Sequence, residues 1–382
     1  MGIYINPKNI AFIESLNSKI YVDKTGLLEY TNSVLSTEQK YLCISRPRRF
    51  GKSIAAKMLA AYYCKDYNSE DIFANLKIAQ DISFKKHLNK YDIIFINMQD
   101  FLSDVKDIQD YPQHIQKELL EDIKEVYGEF LKSDVDNLIK ALKIIHDKTE
   151  RGFVFIIDEW DTIFRTSSVN NDIQTEYLDF LRLLLKDKSY VKLAYMTGIL
   201  PIKKYGTQST LNMFSEFSMT EPKLMAEYIG FTEEEVVDLC NEFKMDLSMT
   251  KHWYNGYVVK NGINIYNPKS VVDAMLNQEY HSYWAKTETY ESLKMYIDLN
   301  FNGLKDDIIK MLSGGTIKVN SGSFSNDMTT FKTKDDVLTL LIHLGYLSYN
   351  TDTFLTAIPN EEIRAEFLNA MLNSHNIASS TE

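Results

Sequence analysis

The sequence has few cysteines, no basic leader and no long apolar run, and each absence excludes a class of protein. Cys43, Cys64 and Cys240 are far apart, and none lies in a C-x-x-C metal-binding spacing. We therefore expect buried thiols in a reducing compartment. The N-terminus has no basic segment followed by an apolar stretch, so no secretory signal is evident. No apolar run approaches about 18 residues, the length of a membrane span. We expect a cytoplasmic protein that has no membrane partner.

The charge balance argues against one kind of partner. The 53 acidic and 42 basic residues give a formal net charge of −11, which is unfavourable for non-specific, electrostatic binding to nucleic acid. A local basic patch remains compatible with this total. Apolar residues make up 45% of the chain and charged residues 25%, as in ordinary globular proteins. A chain of 382 residues has room for two or three domains.

Four short apolar segments alternate with stretches of helical periodicity. They cover residues 41–45, 91–97, 153–158 and 191–197. Runs that are apolar on both faces are typical of strands inside a parallel sheet, and the intervening helices supply the crossovers. We predict an α/β fold of the P-loop NTPase class, with a mostly parallel sheet flanked by helices. Residues 20–22 also have the composition of a short strand, followed by a turn and a helix.

The pattern changes after about residue 220. Thr232 and Glu235 have the spacing of a capping box, which predicts a helix start. Apolar segments at 344–349 and 354–357 flank a polar turn and predict a hairpin. Helices followed by a hairpin favour a winged-helix module. We predict three regions: a P-loop ATPase core at 1–220, a helical lid at 221–300, and a winged-helix-like domain with a C-terminal tail at 301–382.

Residues 46–53 read R-P-R-R-F-G-K-S directly after the first predicted strand. A bound triphosphate needs inward-pointing backbone N–H groups, a helix N-terminus and a mobile cation. Gly51 permits close approach of the backbone, Lys52 reaches the β- and γ-phosphates, and the Ser53 hydroxyl ligates Mg²⁺.

The first position of the motif G-x-x-x-x-G-K-[ST] holds Arg46 instead of glycine, so the sequence leaves open how the first turn of this loop closes. Pro47 restricts the backbone there, and the two following arginines add positive charge. By itself, Gly-Lys-Ser at a helix start also arises by chance. We assign nucleotide binding to Arg46, Pro47, Arg48, Arg49, Phe50, Gly51, Lys52, Ser53 and Ile54.

Two acids follow the third predicted strand and supply the other half of an NTP site. Asp158 is placed to hold Mg²⁺, and Glu159 to orient and deprotonate the attacking water. The alternative is that both acids cap the next helix. Thr197 ends the fourth strand, where it either senses the γ-phosphate or only terminates the strand. We assign catalysis to Lys52, Glu159 and Thr197, and metal binding to Ser53 and Asp158.

Three further charged residues each allow two interpretations. Asp161 is three residues after Asp158 and is either a supporting acid or, as we favour, a surface residue. Arg165 and Arg182 are candidates for stabilising charge in the transition state. A solvated helix face is the favoured interpretation for both arginines.

The chain resembles the bacterial AAA-ATPase-like proteins, which are related to archaeal-type and STAND-type P-loop ATPases. The family's own loop reads R-P-R-R-F-G-K-S, which accounts for Arg46. The matching segments are residues 21–27 (YVDKTGL), 46–53 (RPRRFGKS), 157–161 (IDEWD), 197–199 (TGI), 254–257 (YNGY), 266–268 (YNP), 344–347 (LGYL) and 358–362 (IPNEE).

The resemblance implies an ATPase that uses ATP and Mg²⁺. Members of this family often carry a C-terminal PD-(D/E)XK nuclease domain, for which about twenty residues after position 362 leave no room. We therefore expect no nuclease activity. The main alternative is a slow, STAND-like nucleotide switch that recruits a protein or nucleic acid through its C-terminal region, in defence or regulation. A third is a degenerate P-loop fold without nucleotide. The sequence is also compatible with a homo-oligomer.

Overall fold

The structure, a computed structural model, describes residues 2–166, 169–202, 210–259, 262–284, 290–298, 301–326, 328 and 331–378. The chain divides into two compact units. The first consists of residues 1–45 and 52–216, and the second of residues 46–51 and 217–382. Within the described residues, no helix combines the length and the apolarity needed to cross a membrane.

The larger sheet has the strand order β2-β3-β4-β1-β5. Its first four strands pair in parallel with their neighbours, and every residue of β1 and β3 is buried. Continuous burial explains why these segments are apolar at every position rather than at alternate ones. The predicted α/β class with a mostly parallel sheet is confirmed. The strands are β1 (Tyr41–Ser45), β2 (Asp92–Asn97), β3 (Phe153–Asp158), β4 (Val191–Gly198) and β5 (Ser215–Phe217).

Helices connect these strands, as the periodicity of the sequence predicts. The apolar side chains of Ile115, Leu119 and Ile123 lie on one face of the longest connecting helix and are buried. The helices of the first unit are α1 (Ile10–Leu16), α2 (Gly26–Val34), α3 (Lys52–Tyr63), α4 (Glu70–Phe73), α5 (Phe84–His87), α6 (Met98–Asp104), α7 (Tyr111–Tyr127), α8 (Leu138–Thr149), α9 (Thr162–Arg165) and α10 (Asn171–Leu185).

The strand predicted at residues 20–22 is wrong, because this segment has no regular secondary structure. Local side-chain bonds replace a ladder there. Asp23 accepts hydrogen bonds from the backbone N–H and the hydroxyl of Thr25, at 2.8 and 2.6 Å, and from the N–H of Lys77 at 2.6 Å. Such bonds from Asp to nearby backbone groups compete with strand formation.

The strand register brings the carboxyl ends of β1 to β4 to one edge of the sheet. Asn97 is paired with Asp158, and Thr197 is paired with Ile44 of β1. This is the edge at which open α/β sheets bind ligands.

The second unit combines helices with two antiparallel, three-stranded sheets of order β6-β8-β7 and β10-β11-β9. Its strands are β6 (Phe231–Thr232), β7 (Tyr257–Val259), β8 (Ile263–Tyr266), β9 (Ile317–Lys318), β10 (Ser348–Asn350) and β11 (Leu355–Ala357). Its helices are α11 (Glu233–Phe243), α12 (Leu247–Tyr254), α13 (Pro268–Asn277), α14 (Tyr290–Asp298), α15 (Leu304–Leu312), α16 (Lys334–Leu344) and α17 (Glu361–Ala378).

Two local sequence patterns in this unit form the structures that they predict. The capping box at the start of α11 is present, since Thr232 accepts from the Glu235 N–H and the Glu235 carboxylate accepts from the Thr232 N–H. The predicted hairpin forms as β10 and β11, although Leu344 still belongs to α16. The sheet of β6, β7 and β8 lies within residues 221–300, the region predicted to be a helical lid, and it was not predicted from the sequence. The division into three regions stays a prediction. The winged-helix assignment stays a prediction.

Candidate functional site

Asp158 is held rigidly at the end of β3. Its Oδ1 accepts a hydrogen bond from the Thr197 hydroxyl and another from the Glu159 N–H, the latter at 3.1 Å. Asp158 and Thr197 are both buried. Among the described residues, the second carboxylate oxygen of Asp158 accepts no hydrogen bond from a side chain or backbone. One oxygen is therefore fixed by the protein, and the other is available to a ligand.

Glu159 lies in a strained turn between β3 and α9. Its φ of 55° is in the left-handed region, which is unfavourable for a residue with a long side chain. Two backbone bonds hold the turn, from the Trp160 N–H to the Thr197 carbonyl and from the Thr162 N–H to the Glu159 carbonyl, both at 3.0 Å. Backbone strain of this kind, when enforced by surrounding bonds, clusters at functional sites.

Arg165 and Asp161 lie behind Glu159 rather than on the surface. The Arg165 guanidinium forms an ion pair with the Glu159 carboxylate through Nη2, and its Nε is 3.2 Å from Asp161 Oδ2. The Asp161 side chain is fully buried, and that of Arg165 is 10% exposed. Asp161 Oδ2 also accepts the N–H groups of Ile199 and Leu200, at 3.0 and 2.8 Å.

The surface positions favoured for Asp161 and Arg165 are therefore wrong. The tight turn at Glu159 folds both side chains inward, and a helix-periodicity argument does not include that turn. A usable signal was their separation of four residues, which allows an ion pair on one helical turn. Arg182 lies on a solvated helix face, as the favoured interpretation predicts. It is 41% exposed and pairs with Asp179 at 3.1 Å on α10.

Lys52, the first residue of α3, is buried and interacts electrostatically with the same acids. Burial lowers the pKa of its ammonium group, and attraction from Glu159, Asp158 and Asp161 opposes this effect. Burial likewise raises the pKa of Glu159, while the charges of Lys52 and Arg165 oppose the rise. The structure thus groups one buried cation with the predicted metal ligand and the predicted base.

The six preceding loop residues belong to the second unit. The Arg46 side chain is buried, and its Nη1 donates to the Phe217 carbonyl at 3.1 Å. Phe50 is buried with its ring 5.3 Å from that of Tyr257, in an edge-to-face arrangement. Pro47 is also buried. These three side chains anchor the loop within the second unit.

The backbone reverses twice just before Lys52. Arg49 has φ 67° and Gly51 has φ 94°. A Cβ at Gly51 would meet no atom within 4 Å, so the backbone conformation and not crowding requires glycine here. Arg48 is exposed. Two other assigned residues lie on the first turn of α3, where Ser53 is half-buried and Ile54 is 46% exposed.

The donor set suits Mg²⁺ only together with phosphate oxygens. In the part of the chain that the structure describes, no group of three or more His, Cys, Asp or Glu side chains is arranged to hold a metal ion. The Ser53 hydroxyl and the Asp158 carboxylate are oxygen donors, the type that Mg²⁺ prefers. One or two protein oxygens plus substrate phosphates is the common way in which Mg²⁺ is held.

A family model matches most of the first unit. The family model AAA-ATPase-like, described as predicted AAA-ATPase, matches residues 12–207. A curated relative is an uncharacterised protein in the vnfD 5′ region of Azotobacter chroococcum mcd 1. It is 26% identical over 294 residues, which is 75% of this chain and 54% of the relative. The chain thus spans about half the length of the curated relative that it matches.

Solved structures give weaker similarity. The ORC2 protein of Aeropyrum pernix in ADPNP-ADP complexes is 9% identical with a TM-score of 0.36, over 94% of this chain and 98% of that one. AMPPCP-bound DnaA from Aquifex aeolicus is 10% identical with a TM-score of 0.32, over 96% and 92%. Because both scores are below 0.5, the fold class rests on the strand order and register of this chain.

Proposed function

The chain belongs to the AAA-ATPase-like family, and we propose that it binds ATP and hydrolyses it with Mg²⁺. One observation carries the proposal: the buried Lys52 interacts electrostatically with Asp158 and Glu159 at the carboxyl edge of a parallel sheet. Burying an amine and two carboxylates is costly unless they compensate one another or a ligand. A site that keeps all three is suited to a charged polyphosphate and its metal ion.

Binding would use the loop and the first turn of α3. The helix N-terminus favours negative charge, and phosphate oxygens would accept hydrogen bonds from the backbone N–H groups of its first turn. Lys52 would neutralise the charge that develops on the transferred phosphoryl group. Arg48 is an exposed cation on the same loop and would add attraction for the triphosphate.

Ser53 and Asp158 would hold Mg²⁺. When bound, the ion would neutralise phosphate charge and fix the orientation of the β- and γ-phosphates. Thr197 would act on Asp158, because its hydroxyl already occupies one carboxylate oxygen. A direct contact of Thr197 with the γ-phosphate stays a prediction.

Glu159 would accept a proton from the attacking water. A general base must be ionised at the working pH. Burial raises the pKa of Glu159, and the charges of Lys52 and Arg165 limit that rise. The remaining carboxylate oxygen of Glu159 accepts no hydrogen bond among the described residues, which leaves it for a water molecule.

One observation favours a second candidate, the slow nucleotide switch. Residues 46–51 of the loop pack among residues of the second unit, including Phe217 and Tyr257. A conformational change of this loop on nucleotide binding would therefore reach the second unit. The partner that would read such a change is a protein or a nucleic acid. Turnover well below about 1 per minute, far under common enzyme rates, would favour this candidate.

Phosphate release from ATP tests the proposal, with Mg²⁺ and with EDTA. Glu159→Gln should bind ATP as the wild type does and lose at least about 100-fold in turnover, the typical size of a general-base effect. The matched control is Glu176→Gln, on the exposed face of α10, which should leave turnover unchanged. Wild-type turnover in Glu159→Gln would contradict the assignment of the base. No turnover and no ATP binding by the wild type would contradict the proposed function itself.

A further inference from the structure

Arg165 connects two acids that have different surroundings. Its guanidinium pairs with Glu159 on one side and with Asp161 on the other. Building on the proposed ATPase function, we propose that Arg165 is the positioning residue of this site. It holds one carboxylate oxygen of Glu159 and thereby directs the other toward the attacking water.

Asp161, the acid that pairs with Arg165 Nε, is itself held by backbone contacts. Asp161 Oδ2 accepts two backbone N–H groups from the segment after β4, those of Ile199 and Leu200, at 3.0 and 2.8 Å. A Cβ at Gly198 would lie 2.6 Å from Asp161 Oδ1, so the backbone also approaches this carboxylate closely. Asp161 is consequently fixed to the end of the strand that carries Thr197. An arginine attached to it has little freedom to move.

A second contact fixes the same nitrogen of the guanidinium that pairs with Glu159. Nη2 donates to the Thr162 hydroxyl at 3.1 Å, and that hydroxyl donates to the Glu159 carbonyl at 2.8 Å. Arg165 therefore bonds to the side chain of Glu159 and, through Thr162, to its backbone. This arrangement stabilises the left-handed conformation of Glu159 as well as its side-chain direction. Enforcing the geometry of a base in this way is what preorganisation requires.

Charge supports the same role. The charged groups that act on Glu159 are Lys52 from α3, Asp158 from β3, and Asp161 and Arg165 from the turn and α9. Asp100 of α6 interacts in turn with Asp158. The Arg165 guanidinium is the cation that forms an ion pair with the Glu159 carboxylate, through Nη2. Loss of Arg165 would leave this carboxylate without the group that holds one of its oxygens.

Arg165→Gln is the direct test, measured in the full-length chain with saturating ATP and Mg²⁺. We expect kcat to fall about 10-fold or more, as for a weakened general base. The dissociation constant of ATP should change less than about threefold. Arg165→Lys keeps the charge but lacks the planar set of donors that contacts both acids, so it should restore only part of kcat.

The matched control is Arg182→Gln, which removes an arginine that pairs with Asp179 at a largely exposed position. It should leave kcat unchanged. The proposal is overturned if Arg165→Gln keeps the wild-type kcat. It is also overturned if the variant loses ATP affinity instead of kcat, since that result would place Arg165 on the nucleotide.

A measurement without turnover separates this proposal from the proposed function. Crystal structures of the nucleotide-free wild type, Arg165→Gln and Arg182→Gln show the direction of the Glu159 side chain. We expect this direction to change in Arg165→Gln and to stay the same in Arg182→Gln. An unchanged Glu159 side chain in Arg165→Gln would overturn the role of Arg165 even if ATP is hydrolysed. If the wild type hydrolyses no ATP, the proposed function fails, while the structures still decide whether Arg165 holds Glu159.

Discussion

The Thr197 hydroxyl donates a hydrogen bond to Asp158 Oδ1, and both side chains are buried at the ends of neighbouring strands. The parallel register of β3 and β4 places them there, with Ile157 opposite Met196. The same oxygen of Asp158 receives the Glu159 N–H. The proposed metal ligand is thus oriented before any ligand binds.

Thr197→Val should therefore destabilise the protein, although the two side chains have nearly the same shape. The substitution removes the hydroxyl that donates to a buried carboxylate oxygen, at a cost of about 1–3 kcal/mol. Thr197→Ser keeps the hydroxyl and should cost less. Urea unfolding of both variants provides the measurement. Equal stability of Val and Ser variants would show that this bond does not hold Asp158.

Gly345 gives a second stability prediction, on the packing of the loop within the second unit. Its φ is 89°, and a Cβ would lie 2.8 Å from Pro47 Cβ and 2.8 Å from Trp284 Cη2. Gly345→Ala combines backbone strain with overpacking and should cost about 2–4 kcal/mol. Gly314→Ala is the matched control, because its φ of 85° is similar and no atom lies within 4 Å. It should cost only about 1 kcal/mol. Thermal unfolding that ranks the two variants equally would contradict close packing against Pro47.

Glu362 gives a pH-dependent prediction. Its buried Oε1 accepts the N–H groups of Tyr283 and Trp284, at 2.7 and 2.9 Å. Burial outweighs these bonds and raises its pKa from 4.5 to about 7, and nearby Glu366 adds to the rise. Between these values the folded state binds more protons than the unfolded state, so stability falls as pH rises. The fall begins near pH 4.5 and ends near pH 7.

Glu362→Gln keeps an oxygen acceptor and does not titrate. The stability of the wild type relative to this variant should decline across that pH window by about 3 kcal/mol in total, at about 1.4 kcal/mol for each pH unit. Denaturant unfolding of both proteins at half-unit steps of pH gives the difference. A pH-independent difference would show that Glu362 keeps an ordinary pKa in the folded protein.

Local patterns predicted those parts of the fold that are set by local burial. The runs at β1 and β3 are apolar because both faces of these strands are covered, and the Thr232 capping box is complete within four residues. The inward position of Arg165 depends on a left-handed turn at Glu159 and on backbone groups beyond β4. No periodicity within α9, which is four residues long, carries that information.

The contacts that anchor residues 46–51 could not be predicted from the local sequence either. Arg46 stands where the motif has glycine, and the sequence did not show why an arginine is tolerated there. In the structure its side chain is buried and donates to the carbonyl of Phe217, which is 171 residues away. The three-stranded sheet of β6, β7 and β8 was missed for a similar reason. Strands of two to four residues are too short for an alternating pattern to appear.

The dissociation constant of a fluorescent ATP analogue, measured with Mg²⁺ for Lys52→Ala, tests the central claim most directly. The claim is that Lys52 and the acids opposite it form a polyphosphate site. Lys52→Ala should weaken binding at least about 10-fold, or roughly 1.4 kcal/mol. Lys57→Ala, in the same helix and partly exposed, should bind as the wild type does. Unchanged affinity in Lys52→Ala, in a variant that is folded, would contradict the claim.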